Sequence, residues 1–152
     1  MLWTTNRIVA LVLGALYALL GIIGFFTPVE NGTGVQAVLG LFDADTTHNI
    51  IRLVVGALGI IAAFTKQSRA YNQGFSIFYI LLTILGLIPA LYFPAGAYGH
   101  DTGLFLGLFH INNWDHGLNL IAAIVAGVVG FFLAGSATHP AAAPQADKRV
   151  TQ

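Results

Sequence analysis

The sequence predicts an all-α membrane protein, with four transmembrane helices arranged as two tandem helical hairpins in a pseudo-two-fold bundle. Three observations predict it. The 152 residues are 57% hydrophobic and only 8% charged, against roughly 25% charged in a soluble domain. Four apolar runs are long enough to cross a bilayer, at residues 8–26, 47–64, 75–93 and 115–134. One stretch also occurs twice: Leu39-Gly40-Leu41-Phe42 recurs 67 positions on as Leu106-Gly107-Leu108-Phe109.

The first run follows Arg7 and is closed by Thr27-Pro28. It is too long for a secretory signal and lacks a small-x-small cleavage site, so it reads as a retained helix. Thr5 or Asn6 is its expected cap, and Tyr17 its large packing residue. The loop that follows contains Asn31-Gly32-Thr33, a short match to a glycosylation acceptor. It also contains the apolar piece Val35 to Phe42. Like Gly103 to Phe109 in the second long loop, that piece is too short to span and is expected to be interfacial or re-entrant.

The second run is followed by a short loop with Lys66 and Arg69 and no acid. Pro89 should kink or shorten the third run. Tyr92, Phe93 and Tyr98 sit where an aromatic belt is expected, and Trp3 and Trp114 read as interface anchors. After the fourth run, residues 135–152 are rich in Ala and Pro and are expected to be a disordered tail. Residues 1–134 form the single membrane domain.

Orientation follows from Lys and Arg. With four spans, Arg7, Lys66, Arg69, Lys148 and Arg149 all fall on one side, and the two long loops carry none. The positive-inside rule then places both termini in the cytoplasm and both repeated stretches outside.

Composition and position exclude several chemistries. Six basic and six acidic residues cancel, so no field gathers nucleic acid. The absence of Cys removes disulfides and thiolate chemistry. Ser68, Ser76 and Ser136 fall on the side opposite the His–Asp groups, which argues against a hydrolytic triad. No Gly-rich phosphate loop is present.

The repeat carries the candidate site. At the same shift Asp45 meets Asn112, His48 meets Asp115, Asn49 meets His116 and Arg52 meets Asn119. In the second helix His48, Arg52, Gly56, Gly59 and Ala63 share one face; in the fourth, Asp115, Asn119, Ala123, Ala126 and Gly130 do so at the same offsets. Small residues let helices approach closely in lipid. The two helices are therefore expected to touch along these stripes, gathering His48, Arg52, Asp115 and Asn119 at the outer end.

A charge at the depth of Arg52 needs a partner, and Asp115 is the nearest acid by this construction. The structural reading is an ion pair with helix caps. The functional reading is an outward-facing proton or ligand site, with His48 titrating near neutral pH. A metal, haem or chlorophyll held through His48, His110 or His116 is the cofactor option, with Asp45 and Asp115 as further metal donors. His100 and His139 are expected in solvated loop and tail.

At Gly40-Leu41-Phe42, Asp45 and His48-Asn49 the chain resembles a bacterial family of small four-helix membrane proteins. That family is described as a domain of unknown function, numbered four-three-eight-three. Its second, weaker motif corresponds to Asn112 and Asp115-His116, and the likeness runs over residues 7 to 134. The family tends to place a His one turn after each motif, where this chain has Arg52 and Asn119. A looser similarity to DoxX-type proteins concerns architecture alone. The resemblance implies a membrane bundle and no activity.

The expectation is a small integral membrane protein without catalysis, free-standing or as an accessory subunit, with lipid and other membrane proteins or itself as partners. Ligand binding at the outer cluster is one alternative, and a small transporter is another.

Overall fold

The computed structural model describes residues 3–30, 34–93 and 103–133. The Asn31-Gly32-Thr33 pattern, Tyr98, His100, Asp101, Ser136, His139 and the Ala/Pro-rich tail lie outside them. The described residues are mostly helical. They form α1 (Thr5–Phe26), α2 (Thr46–Phe64), α3 (Ser68–Gly86) and α4 (Asn113–Gly127), the last continued by a π-helical turn, Val128–Phe132. Three of these (α1, α2, and α4 with its extension) are long and apolar enough to cross a membrane. The 19 residues of α2 span about 28 Å at ~1.5 Å each, close to the ~30 Å of a bilayer's hydrocarbon core.

Thr4, rather than Thr5 or Asn6, caps α1, its side chain accepting from the Arg7 N–H. Asn6 is buried. Its Nδ2 donates to the Leu133 carbonyl at 3.1 Å, and its own carbonyl and Oδ1 each accept from Asn72 Nδ2 at 3.0 Å.

Helix α3 differs from the apolar run at 75–93. It begins at Ser68 because its polar first turns have partners: Arg69 Nε and Gln73 Nε2 donate to the Gly130 carbonyl at 2.9 and 3.0 Å. Those bonds satisfy a carbonyl that the π-helical end of α4 leaves free. Helix α3 stops at Gly86 because Pro89 forces Ile88 into an extended conformation and opens a 3₁₀ turn, Pro89–Leu91.

The Val35–Phe42 and Gly103–Phe109 pieces contain short paired β-strands. Strand β1 (Gln36–Val38) pairs antiparallel with β2 (Phe42–Ala44), with Val38 opposite Phe42. Strand β3 (Tyr92–Phe93) pairs with β4 (Leu104–Phe105), and Phe105 also bridges Phe109. The repeated Leu-Gly turns the chain between β1 and β2 in the first copy and between Phe105 and Phe109 in the second. Leu39 and Gly40 have φ of 56° and 69°, and Leu106 and Gly107 have φ of 53° and 70°. Two successive positive φ values are those of a type I′ turn, which reverses the chain between paired strands. The bonds match as well: Leu41 N donates to Val38 O, and Leu108 N to Phe105 O.

Packing is strongest between α1 and α2 and between α3 and α4, with α1 also against α3. The small-residue stripes of α2 and α4 do not meet each other. Gly56 and Gly59 lie against Ala18 and Gly14 of α1, where an added Cβ would come within 2.4 to 2.8 Å of backbone. Gly130 lies against Asn72 and Gln73 of α3. Ala63 is fully buried.

Ala123 and Ala126 make room for aromatic rings from the other helices. Tyr17 stacks edge-on to Phe75 at 5.1 Å and lies 5.0 Å from Tyr79. These rings fill the centre and hold α2 and α4 apart, which is why the expected seam is absent.

The buried positions of α1 recur in α3. Asn6, Ala10, Leu13, Gly14, Tyr17, Gly21 and Gly24 correspond to Ser68, Asn72, Phe75, Ser76, Tyr79, Thr83 and Gly86, 62 positions on. The shift is shorter than the one that relates the two turns. The second long loop therefore carries extra residues.

Candidate functional site

The site lies where the two β-turns lead into α2 and α4. Asp45 caps α2, its Oδ1 accepting from His48 N at 2.9 Å. Asn112 caps α4, its Oδ1 accepting from Asp115 N at 3.0 Å, and Asp115 Oδ2 accepts from Asn112 N in return, a capping box. Each cap uses its second side-chain atom to reach the other loop. Asp45 Oδ2 accepts from His110 Nδ1 at 3.0 Å and from His110 N at 2.6 Å. Asn112 Nδ2 donates to Asp43 Oδ1 at 2.9 Å and to Leu41 O at 2.8 Å. His110 stands 67 positions after Asp43, so the two bonds are counterparts with donor and acceptor exchanged.

The third helical residues cross in the same way. Asp115 Oδ2 accepts from Asp43 N at 3.1 Å. His48 Nδ1 lies 2.7 Å from His110 O; a carbonyl only accepts, so Nδ1 carries the hydrogen. The His48 ring also lies 5.0 Å from that of Phe109. One turn deeper, Arg52 Nη2 donates to Asp115 Oδ1 in a buried ion pair, with Arg52 and Asp115 exposed by 2% and 1%. Separating such a pair typically costs about 3–5 kcal/mol, because one charge is left buried alone.

Burial pushes the Asp45 carboxyl up. The hydrogen bonds from the His110 side chain and from the His48 and His110 N–H groups outweigh that, and hold it below the usual carboxylate value.

Asn119 makes no direct bond to the ion pair. Its Oδ1 accepts from the Tyr17 hydroxyl at 2.7 Å, joining α4 to α1. Asn49 Nδ2 donates to Gln36 Oε1 at 2.8 Å, and its amide lies over Gly24, where a Cβ would come within 2.0 Å of Oδ1. Its counterpart His116 lies over Gly86 in the same manner, Cε1 within 2.0 Å of such a Cβ. Tyr92 donates to Gly86 O at 2.7 Å and lies 3.1 Å from His116 Nε2. His116 is thus held at the end of α3, away from the His48–His110–Asp45 group. Gly40 and Gly107 serve the turns, with open space where a Cβ would be.

The sequence candidates therefore divide. His48, Arg52 and Asp115 come together, joined by Asp43, Asp45, His110 and Asn112. Asn119, Asn49 and His116 make separate contacts. Among the described residues no group of three His, Cys, Asp or Glu side chains is placed to hold a metal ion. The cross-bonds of Asp45 to His110 and of Asn112 to Asp43 escape a reading of helix faces, since Asp43 and His110 lie in the loops. The signal for them was the exchange of an acid and a His at equivalent positions.

Residues 7–132 match the family described as Domain of unknown function (DUF4383). The chain belongs to this family. The DUF4383 match takes in both turns, every residue of the site and, apart from Thr5 and Asn6, all four helices. No curated protein and no solved structure matches the chain.

Proposed function

We propose that this chain is a non-enzymatic integral membrane protein of four spans, built as two tandem helical hairpins about a pseudo-two-fold axis, and that it works as an accessory component of a larger membrane assembly. The observation that carries this is the reciprocal bonding of the two loops. The polar groups that a substrate would need are engaged by each other: Asp45 by His110, Asn112 by Asp43, Asp115 by Arg52. They act as a clasp between the two halves.

Each helix meanwhile keeps an exposed apolar face, with Leu19, Ile61, Ile84 and Ile121 as examples. In a bilayer such faces meet lipid or another membrane protein. Helix α3 fits as the fourth span because its apolar part continues to Gly86 while Arg69, Asn72 and Gln73 occupy the interface turns. Arg7, Lys66 and Arg69 gather at the end opposite the turns, where Arg7 Nη2 donates to Thr65 O at 3.2 Å. That end is the cytoplasmic one by the positive-inside rule.

The test is extraction from the native membrane in polymer-bounded lipid discs, followed by mass measurement. The reading expects a stoichiometric membrane partner or a defined self-association. A lone monomer in every disc contradicts it.

A further inference from the structure

The structure leaves several buried polar atoms without hydrogen-bond partners among the described residues, and among those at the turn end of the helices are Arg52 Nη1, Thr83 Oγ1 and Asn119 Nδ2. Their residues are exposed by only 2%, 5% and 3%. Buried groups of this kind are normally satisfied, by protein or by internal water.

The packing register brings two of them face to face. Helices α3 and α4 pack antiparallel, with Gly86 against His116 at one level and Ser76 against Gly127 at another. Thr83 lies one turn from Gly86, and Asn119 one turn from His116, so the two oppose each other between those levels. Arg52 reaches the same face of α4, since its other terminal nitrogen is on Asp115, one turn before Asn119. The Tyr17 hydroxyl on Asn119 Oδ1 fixes the amide and leaves Nδ2 as the free end.

Arg52 Nη1 and Asn119 Nδ2 can only donate, and the Thr83 hydroxyl can give or take. What completes them must accept hydrogen bonds and be small.

We propose that Arg52, Thr83 and Asn119 together hold a small hydrogen-bond acceptor, a water molecule in preference to a halide, within the helices beneath the Arg52–Asp115 pair. Two donors and a hydroxyl are the two to four partners a buried water takes. Water is preferred on charge. Asp115 already neutralises Arg52, so an anion would add an unbalanced charge in low dielectric, whereas water adds none. The site is independent of the accessory-subunit reading, because it needs no partner protein.

The test is a crystal structure of the full chain in lipidic mesophase, at a resolution that shows ordered water, with crystals grown in bromide. The expected result is density within hydrogen-bonding distance of Arg52 Nη1 and Asn119 Nδ2 and no anomalous bromine signal. An anomalous peak there keeps the acceptor site and assigns it to a halide. Absence of density at that position in well-ordered crystals overturns the proposal. Thr83→Val gives a second reading in solution. If Oγ1 holds the acceptor, the variant unfolds at lower temperature than the parent. An unchanged or higher unfolding temperature contradicts a role for Thr83.

Discussion

Asp45 and His110 are bonded twice, side chain to side chain at 3.0 Å and carboxylate to backbone N–H at 2.6 Å. They stand on different loops, and Asp45 also caps α2. The Asp45 carboxylate is thus an acceptor for three donors, and an amide in its place would put N–H against N–H.

Asp45→Asn is expected to destabilise the protein by about 1–3 kcal/mol, although Asn112 fills the equivalent position in the other copy. The pH dependence has a definite sign. Because hydrogen bonding holds Asp45 below its ordinary value, its contribution is present above pH ~3.9 and is lost as pH falls through the depressed value. Unfolding followed by circular dichroism in detergent should show a shallower acid limb in the variant than in the parent. Identical acid limbs would remove Asp45 from the clasp.

Gly24 and Gly86 are seats for the side chains of Asn49 and His116. Gly24→Ala and Gly86→Ala should each cost about 1–3 kcal/mol by overpacking. Combining Gly24→Ala with Asn49→Ala should recover part of that loss. The measurement is a double-mutant comparison of unfolding free energies. Strict additivity would show that the side chain over the glycine is not what the new methyl meets.

Leu39 and Leu106 sit at φ of 56° and 53°, a conformation that disfavours a leucine by roughly 1–2 kcal/mol. Asn tolerates that backbone. Leu39→Asn and Leu106→Asn are therefore expected to leave stability unchanged or raise it by up to about 1 kcal/mol. A fall of more than ~1 kcal/mol in lipid bilayers would show that the exposed leucine side chains have a binding role which outweighs the strain.

The absence of Cys makes topology easy to measure. With Leu106→Cys, a membrane-impermeant thiol reagent should label intact cells; with Lys66→Cys it should label only after lysis. The reverse pattern would invert the orientation. Labelling of both in intact cells would contradict a bilayer between them.

Helices α1, α2 and α4 were legible because hydropathy and length report directly on helices long and apolar enough to cross a membrane. The meeting of Arg52 with Asp115 was legible too, since a buried charge requires a partner and the helical offset supplied one. The seam between Gly56, Gly59 and Ala63 on one side and Ala123, Ala126 and Gly130 on the other was not as expected. A stripe of small residues says that something packs closely, but not which helix. Here α1 and the Tyr71 ring of α3 fill the α2 stripe, while rings from α1 and α3 fill the alanines of α4.

The β-turns were hidden because Leu-Gly-Leu-Phe reads as an apolar run, and Leu at positive φ runs against its own preference. The polar start of α3 was hidden because its partners, Asn6 and the Gly130 carbonyl, are distant in sequence.

The central claim is that the two halves are clasped at the turn end, with the Arg52–Asp115 pair as its innermost bond. A double-mutant cycle on Arg52→Leu and Asp115→Leu tests it most directly, read as unfolding free energy in a fixed lipid or detergent. The account predicts that each single variant loses about 3–5 kcal/mol, and that the double variant loses much less than the sum. Two small and additive losses would contradict it.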